Sequence, residues 1–410
     1  MTEGPGGLLV HGMGKDLAEP DWEPLNGEEV TAVLAGYHRP GQAGAAEAVV
    51  TWRSPRPMSA AALVSRGGIT AVVKRHHRRV RTATQLAAEH AFAAHLGARG
   101  LPVPAVWRTP AGRTTVARGD FVYEVHEVAA GIDLYRDAMS WTPFASTGHA
   151  RAAGAALARL HQAAAGFRRP ARPPAVLISS CCVITAADPL AEVAAIIRRR
   201  PGLARYLAGR DWRGDLARHH LPVIQRAAPL LGALDRRWGH GDWHPSNLTW
   251  DSAGPGAHVA AVFDFGLANR TFAVHDLAVA LERSTIAWLD LAESGRAGAD
   301  LGAADALLDG YQSVRPLGPD EAAALPEVLP VVHLEYALSE IEYFADVVAT
   351  PALADLAYDT YLIGHTRWFR GPDGAALLGH LRRREGEAGW RAPVRRRRRA
   401  AGRAGGPRSA

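Results

Sequence analysis

The sequence predicts an α+β chain in two lobes, a small strand-rich lobe with one helix followed by a larger, mostly helical lobe. Three observations carry this. Short apolar runs bounded by turn residues crowd positions 46–128. Long Ala/Leu-rich amphipathic segments dominate beyond residue 137, and one island of strand-like sequence interrupts them near residue 250. At 410 residues the chain is long enough for two or three cores.

Residues 1–45 are rich in Gly and Pro and read as a loose lead-in, with a short helical patch at GEEVTAVLAGY. Strands are expected at AEAVVTW, AAALVS and ITAVVKR, the last two joined by a turn at RGG. TATQLAAEHAFAAHLGARG reads as a helix, with Thr82 or Thr84 as N-cap and Gly97 or Gly100 near its stop. LPVPAVWRT, TTVARG and FVYEVHEV return to strand character and complete a small lobe over 46–128. AAGIDLYRD breaks the pattern and opens the large lobe, 129–381. There HARAAGAALARLHQAAAGF, GDLARHHLPVIQRAAPLLGALD and HDLAVALERSTIAWLDLA read as long helices. The island is NLTWD and HVAAVFD around the Gly/Pro turn SAGPGA.

Composition narrows the function classes. A hydrophobic fraction of 48% and a charged fraction of 21% fit a soluble globular protein. Acids run through residues 1–30 without a signal-peptide pattern, and no apolar run approaches membrane-spanning length. Cys181 and Cys182 are adjacent, which suits two reduced thiols of a cytoplasmic protein. The net charge of +6 belongs to the end of the chain. From Arg382 onward eleven arginines face two glutamates, so the rest is mildly acidic. That segment, 382–410, reads as a disordered basic tail.

The island carries the chemistry. In HGDWHPSNLTWDSAGPGAHVAAVFDFGLA, Asp242 and Asn247 flank a loop and Asp264 closes the hairpin that follows. The two ends of a hairpin lie close together, so Asn247 and Asp264 can face one point. A carboxylate and an amide oxygen are hard ligands that suit Mg²⁺ with phosphate oxygens. Asp242, just upstream, is placed to accept a proton from an attacking hydroxyl. Phosphoryl transfer also needs a cation on the nucleotide. Of 47 Lys and Arg, lysine stands only at Lys15 and Lys74, and Lys74 ends an apolar strand ahead of Glu89 on the next helix. Lysine presents a compact point charge where arginine presents a broad fork, and a cramped phosphate slot favours the former.

These residues resemble the protein-kinase-like fold, most closely its aminoglycoside phosphotransferase and choline-kinase branch. The resemblance spans residues 46–285 and rests on AVVK, LAAEHAF, HGDWHPSN and FDFG. It implies an ATP- and Mg²⁺-dependent kinase for a small hydroxylated acceptor, and the motifs do not separate ATP from GTP. Asp242 would be the base, and Asn247 and Asp264 the metal ligands. Lys74, oriented by Glu89, would hold the α- and β-phosphates, and backbone near Glu127–Ala129 would receive adenine. Asp276 is similar to the acid that braces the catalytic loop, with His240 and His244 as structural parts of it.

Two features set the chain apart from protein kinases. His244 stands where those enzymes carry lysine, and only eleven residues separate Asp264 from Asp276, too few for a peptide-docking activation loop. One feature departs from the branch: the first strand turn, SPRPMS, has no glycine for phosphate, leaving Ser59 as the candidate contact. It supports the alternative of a catalytically silent module that binds a nucleotide or metabolite. The cluster KRHHRRVR lacks interleaved aromatics and reads as a solvated face, so no specific nucleic-acid partner is expected. Glu335, Ser339, Glu342 and Asp346 form one stripe on a helix, which at the cleft would suit a cationic acceptor walled by Trp288 and Tyr343.

Overall fold

The alternation in ITAVVKRHH becomes the centre of a five-stranded antiparallel sheet. The computed structural model describes residues 3–4, 7–37 and 46–386, so most of the expected basic tail lies outside the described residues. Strands β1 (Val49–Arg53), β2 (Ala60–Arg66), β3 (Ile69–His77), β4 (Thr115–Arg118) and β5 (Phe121–His126) lie in the order β1-β2-β3-β5-β4. LPVPAVWRT contributes a single bridge, Val106 to His126, rather than the expected strand. Pro102 and Pro104 have no N–H to give to a ladder.

Within the expected lead-in, residues 25–37 pack on the sheet. Helix α1 (Gly27–Leu34) is capped by Asn26, whose Oδ1 accepts the Glu29 N–H at 2.8 Å. Its Val30, Val33 and Leu34 join Leu25 and Tyr37 in one core with Ala62, Val64, Val73 and Val125 of the sheet. Burying those apolar side chains, at ~25 cal/mol per Å², holds α1 to the small lobe. Helix α2 (Ala83–Ala98) starts at Thr82 in a capping box with Gln85.

Helices α3 (Thr147–Ala163), α4 (Ala273–Thr285), α5 (Leu301–Val314) and α6 (Leu334–Glu342) frame the large lobe. Helices α3 and α5 touch backbone to backbone at two glycines. A Cβ on Gly154 would stand 1.9 Å from Leu307 O, and one on Gly310 would stand 1.9 Å from Arg151 O. Two of the long runs break. GDLARHHLPVIQRAAPLLGALD divides at His220 into Trp212–His219 and Leu221–Gly232, where Pro222 opens a new first turn. HDLAVALERSTIAWLDLA divides at extended Ile286 into α4 and Trp288–Ser294. Every residue of α4 is buried. No helix among the described residues is long and apolar enough to cross a membrane.

The island forms two short ladders, β6 (Arg237–Gly239) with β9 (Asn269–Thr271) and β7 (Leu248–Trp250) with β8 (Val259–Val262). Backbone bonds anchor it to the connector and the small lobe. Ile132 and Trp250 exchange both bonds, at 2.7 and 2.9 Å, and Val262 N–H reaches Pro102 O at 2.9 Å. Cys181 and Cys182 are free thiols. Burial pushes the Cys182 thiol up to about 12, so it is not a thiolate at neutral pH.

Candidate active site

Asp276, in the first turn of α4, is fully buried and organises the loop ahead of it. Its Oδ2 accepts the His240 N–H at 2.7 Å and its Oδ1 the Gly241 N–H at 2.8 Å, while His161 Nε2 lies 3.0 Å away. Gly241 has φ +75°, and a Cβ there would stand 2.3 Å from Leu267 O, so no other residue fits this turn. Burial pulls the His240 imidazole down to about 4, so it is neutral at pH 7. Its Nδ1 accepts the Asp242 N–H at 3.2 Å, which leaves Nε2–H to donate to Phe263 O at 3.1 Å. One ring thus ties Asp242 to the strand that leads to Asp264.

Asp242, Asn247 and Asp264 converge with Lys74 in the cleft. Asn247 Nδ2 donates to Asp242 O at 2.9 Å and to Asp242 Oδ2 at 3.2 Å, so Oδ1 is the atom Asn247 can offer a cation. Asp264 adopts φ 62°, a left-handed conformation that Asp tolerates better than most residues. Lys74 Nζ reaches Asp264 Oδ2 at 3.0 Å across the lobes. Burial would raise the Asp264 carboxyl, but the Lys74 charge and hydrogen bond outweigh it and hold the group at about 2. Burial would likewise lower Lys74, and Asp264 followed by Glu124 raise it above its ordinary value. Both are therefore charged across the physiological range. His244 lies beside the loop, its Nε2 3.6 Å from Asp242 Oδ1, and burial pulls it down to about 3.

Two cavities meet at this point. One, of about 350 Å³, runs under β2 and β3 between Leu63, Val72, Val103 and the 127–129 segment. The other, of about 200 Å³, opens on Asp242 from the large-lobe side. Ser59, Lys74, Asn247 and Asp264 line both. Glu127 and Ala129 line the first, where Glu127 N–H is already given to Ala105 O at 2.9 Å.

Other expected residues stand elsewhere or hold other partners. Glu89 lines both cavities, yet it pairs with Arg172 and, at 3.3 Å, with Arg81 rather than orienting Lys74 by direct contact. Arg81 directly precedes the N-cap of α2 and Arg172 comes from the segment after α3, while Lys74 is held by Asp264. The cluster after Lys74 is a solvated face only in part, at exposed Arg78 and Arg79. Arg75 is buried on Glu29 at 2.7 Å, and Arg81 is buried, donating to Val176 O at 3.0 Å and Leu177 O at 2.8 Å.

The acidic stripe does not reach the cleft. Glu335 accepts Ser180 N–H and Ser180 Oγ–H at 2.8 Å and Val183 N–H at 2.7 Å. Glu342 is buried against Arg200, and Asp346 holds Arg79 and Arg205. Ser339 gives its hydroxyl to Tyr336 O at 2.6 Å. Trp288 stacks on His365 at 3.7 Å, and Tyr343 donates to Asp21 at 2.8 Å. Neither Trp288 nor Tyr343 lines either cavity.

Residues that sequence reasoning passed over take their places. Arg283 of α4 makes an ion pair with Asp242 and lies over the Tyr336 ring at 4.8 Å. Tyr336 and Glu340 line the second cavity, and burial pushes Glu340 up to about 8. From the glycine-free loop Arg56 enters both cavities and reaches Ser140 Oγ at 3.1 Å. The available signal was the pair Glu282–Arg283 inside an apolar helix, where charges need a reason.

The sequence model of a family described as the phosphotransferase enzyme family matches residues 59–317. The chain belongs to that family. A homoserine kinase of Methylobacterium nodulans is 31% identical to this phosphotransferase-family chain over 278 residues, covering 67% of the chain and 75% of the relative. Homoserine kinases of Gluconobacter oxydans (30%) and Phenylobacterium zucineum (33%) match 48% and 50% of the chain. In each of those two the match spans 54% of the relative's length. Among solved structures, an amicoumacin kinase in complex with AMP-PNP and Ca²⁺ superposes with TM-score 0.51 at 15% identity, over 87% of this chain and 91% of that one. A microcompartment-associated aminopropanol kinase gives TM-score 0.51 at 17% identity, over 87% and 98%. These likenesses establish the bilobal kinase-like fold.

Proposed function

We propose that the chain transfers a phosphoryl group from ATP to a hydroxyl of a small molecule. The observation that carries the reading is the convergence of Asp242, Asn247, Asp264 and Lys74 where the two cavities meet. The larger cavity has the apolar walls a purine needs, and the smaller brings an acceptor to Asp242. Asn247 Oδ1 and the Asp264 carboxylate form a hard donor set that fits Mg²⁺, which when bound would neutralise phosphate charge. Lys74 would hold phosphate oxygens, with Ser59 above them. Asp242 would orient the hydroxyl and take its proton, a reading its contact with Asn247 supports. The Arg283 ion pair holds the Asp242 side chain beside the second cavity. Arg283 and the Glu340 carboxyl line the second cavity, and a cationic group on an acceptor would draw Glu340 from its burial-favoured protonated form to the carboxylate, so the pair suits an acceptor bearing both an anionic and a cationic group. Homoserine, the substrate in the relatives' names, has that form.

The test is ADP release from Mg-ATP with a panel of homoserine, choline, simple sugars and aminoglycosides, each beside Asp242→Asn. Release that requires one acceptor and falls by about 10²–10⁴-fold in the variant is expected. Equal release from both proteins would overturn the role given to Asp242.

A further inference from the structure

We propose that Glu282, His333 and His365 form a binding site for a zinc-type divalent transition metal ion inside the large lobe. This does not depend on the kinase reading. The three side chains come from separate elements: Glu282 from α4, His333 just before α6, and His365 at the start of the short helix His365–Trp368. One ligand atom from each lies within 4.8 Å of the others, and all three residues are buried, at 4%, 7% and 2% exposure.

Two imidazoles and a carboxylate match the donors such an ion prefers. Tetrahedral coordination with bonds of ~2.0–2.1 Å sets ligand atoms roughly 3.4 Å apart. Glu282 Oε1 and His365 Nδ1 stand 3.2 Å apart. A hydrogen bond accounts for that one separation and leaves the rest of the cluster unexplained. His333 Nδ1 is buried without a hydrogen-bond partner, an arrangement costly for a polar nitrogen unless something binds there. The remaining His333 nitrogen, Nε2, meets Thr366 Oγ1 at 3.3 Å, the kind of outer contact that fixes a ligand ring. His365 follows directly on the π-helical stretch Ala357–Gly364, a distortion often found at functional sites.

The nearest competing charge is Arg283, whose Nε lies 3.8 Å from Glu282 Oε2 and whose own partner is Asp242. An ion would therefore clamp α4 one residue from the arginine that holds Asp242. The other cluster of ligand type among the described residues, His90, Glu124 and His126, is a poorer site. His90 Nδ1 is engaged by Thr114 Oγ1 at 2.7 Å, and Glu124 already lies against His76 at 3.0 Å and near the Lys74 charge.

The experiment is a Co²⁺ titration of full-length, chelator-treated protein, followed by the visible absorption of the ion in a low-symmetry site. Uptake saturating at one equivalent is expected. Glu282→Gln and His333→Gln, checked for folding by circular dichroism, should lose it, and His126→Gln should keep it. No stoichiometric uptake by the wild type, or undiminished uptake in both folded variants, would overturn the site. Should both variants fail to fold, the wild type decides: Zn²⁺ must raise its melting midpoint after chelation, and an unchanged midpoint refutes the proposal.

Discussion

The loop and hairpin of residues 239–276 and the helix of 334–347 each bring several acidic side chains into one short stretch, and the fold uses them differently. In the first, Asp276 is consumed as a brace so that Asp242 and Asp264 can stand at a cavity wall. In the second, Glu335, Glu342 and Asp346 are each met by a partner from residues 180–205 and do not line the cleft, while Glu340, off their stripe, does. Spacing alone does not make a site. A carboxylate is available to chemistry where a second group does the structural work beside it.

The comparison breaks most sharply on turnover against stability. Asp242→Asn should remove about 10²–10⁴ of turnover while leaving nucleotide binding close to wild type. Glu342→Ala should do the reverse. It leaves Arg200 buried and unpaired, a loss of about 3–5 kcal/mol in chemical denaturation, with KM for acceptor and nucleotide unchanged in the folded fraction. A raised acceptor KM in that variant would return the stripe to the acceptor site.

Lys74 sharpens the comparison through pH. The Asp264 carboxyl is depressed from 3.8 to about 2 in the folded chain. A depressed acid contributes stability that is present above its unfolded value and lost as pH falls through the folded one. In Lys74→Met the burial that raises Asp264 is no longer offset, so acid unfolding followed by tryptophan fluorescence should begin at higher pH. An acid limb identical to wild type would show that the Lys74 pair does not set the Asp264 titration.

Much of this was legible in the sequence because it is local. The HGD turn, the hairpin that closes on Asp264 and the strand that carries Lys74 are each local in sequence. The partner of Glu89 was not, since Arg172 comes from a stretch between helices with no periodicity to place it. Nor was the place of α1 in the small-lobe core, because the helical patch is readable from GEEVTAVLAGY but its burial depends on a sheet formed later in the chain. The stripe misled for a related reason. Helical spacing fixes which side chains share a face, while what that face meets is decided by segments far away in sequence.

The smallest expected effect lies at the stripe's open end. Asp346 joins Arg79 of the small lobe and Arg205 of the large one, and the two guanidiniums keep 46% and 67% of their surface exposed. Charges so placed are screened by water and salt, and each pair contributes at most about 1 kcal/mol. Asp346→Asn removes both pairs and should therefore lower stability by less than about 2 kcal/mol, a difference that shrinks further at high salt. The same helix would then carry a buried pair whose loss is severe and an exposed pair whose loss is slight, separated by one turn. A loss as large as that of Glu342→Ala would instead mean that Asp346 holds the two lobes together, a role its exposure argues against.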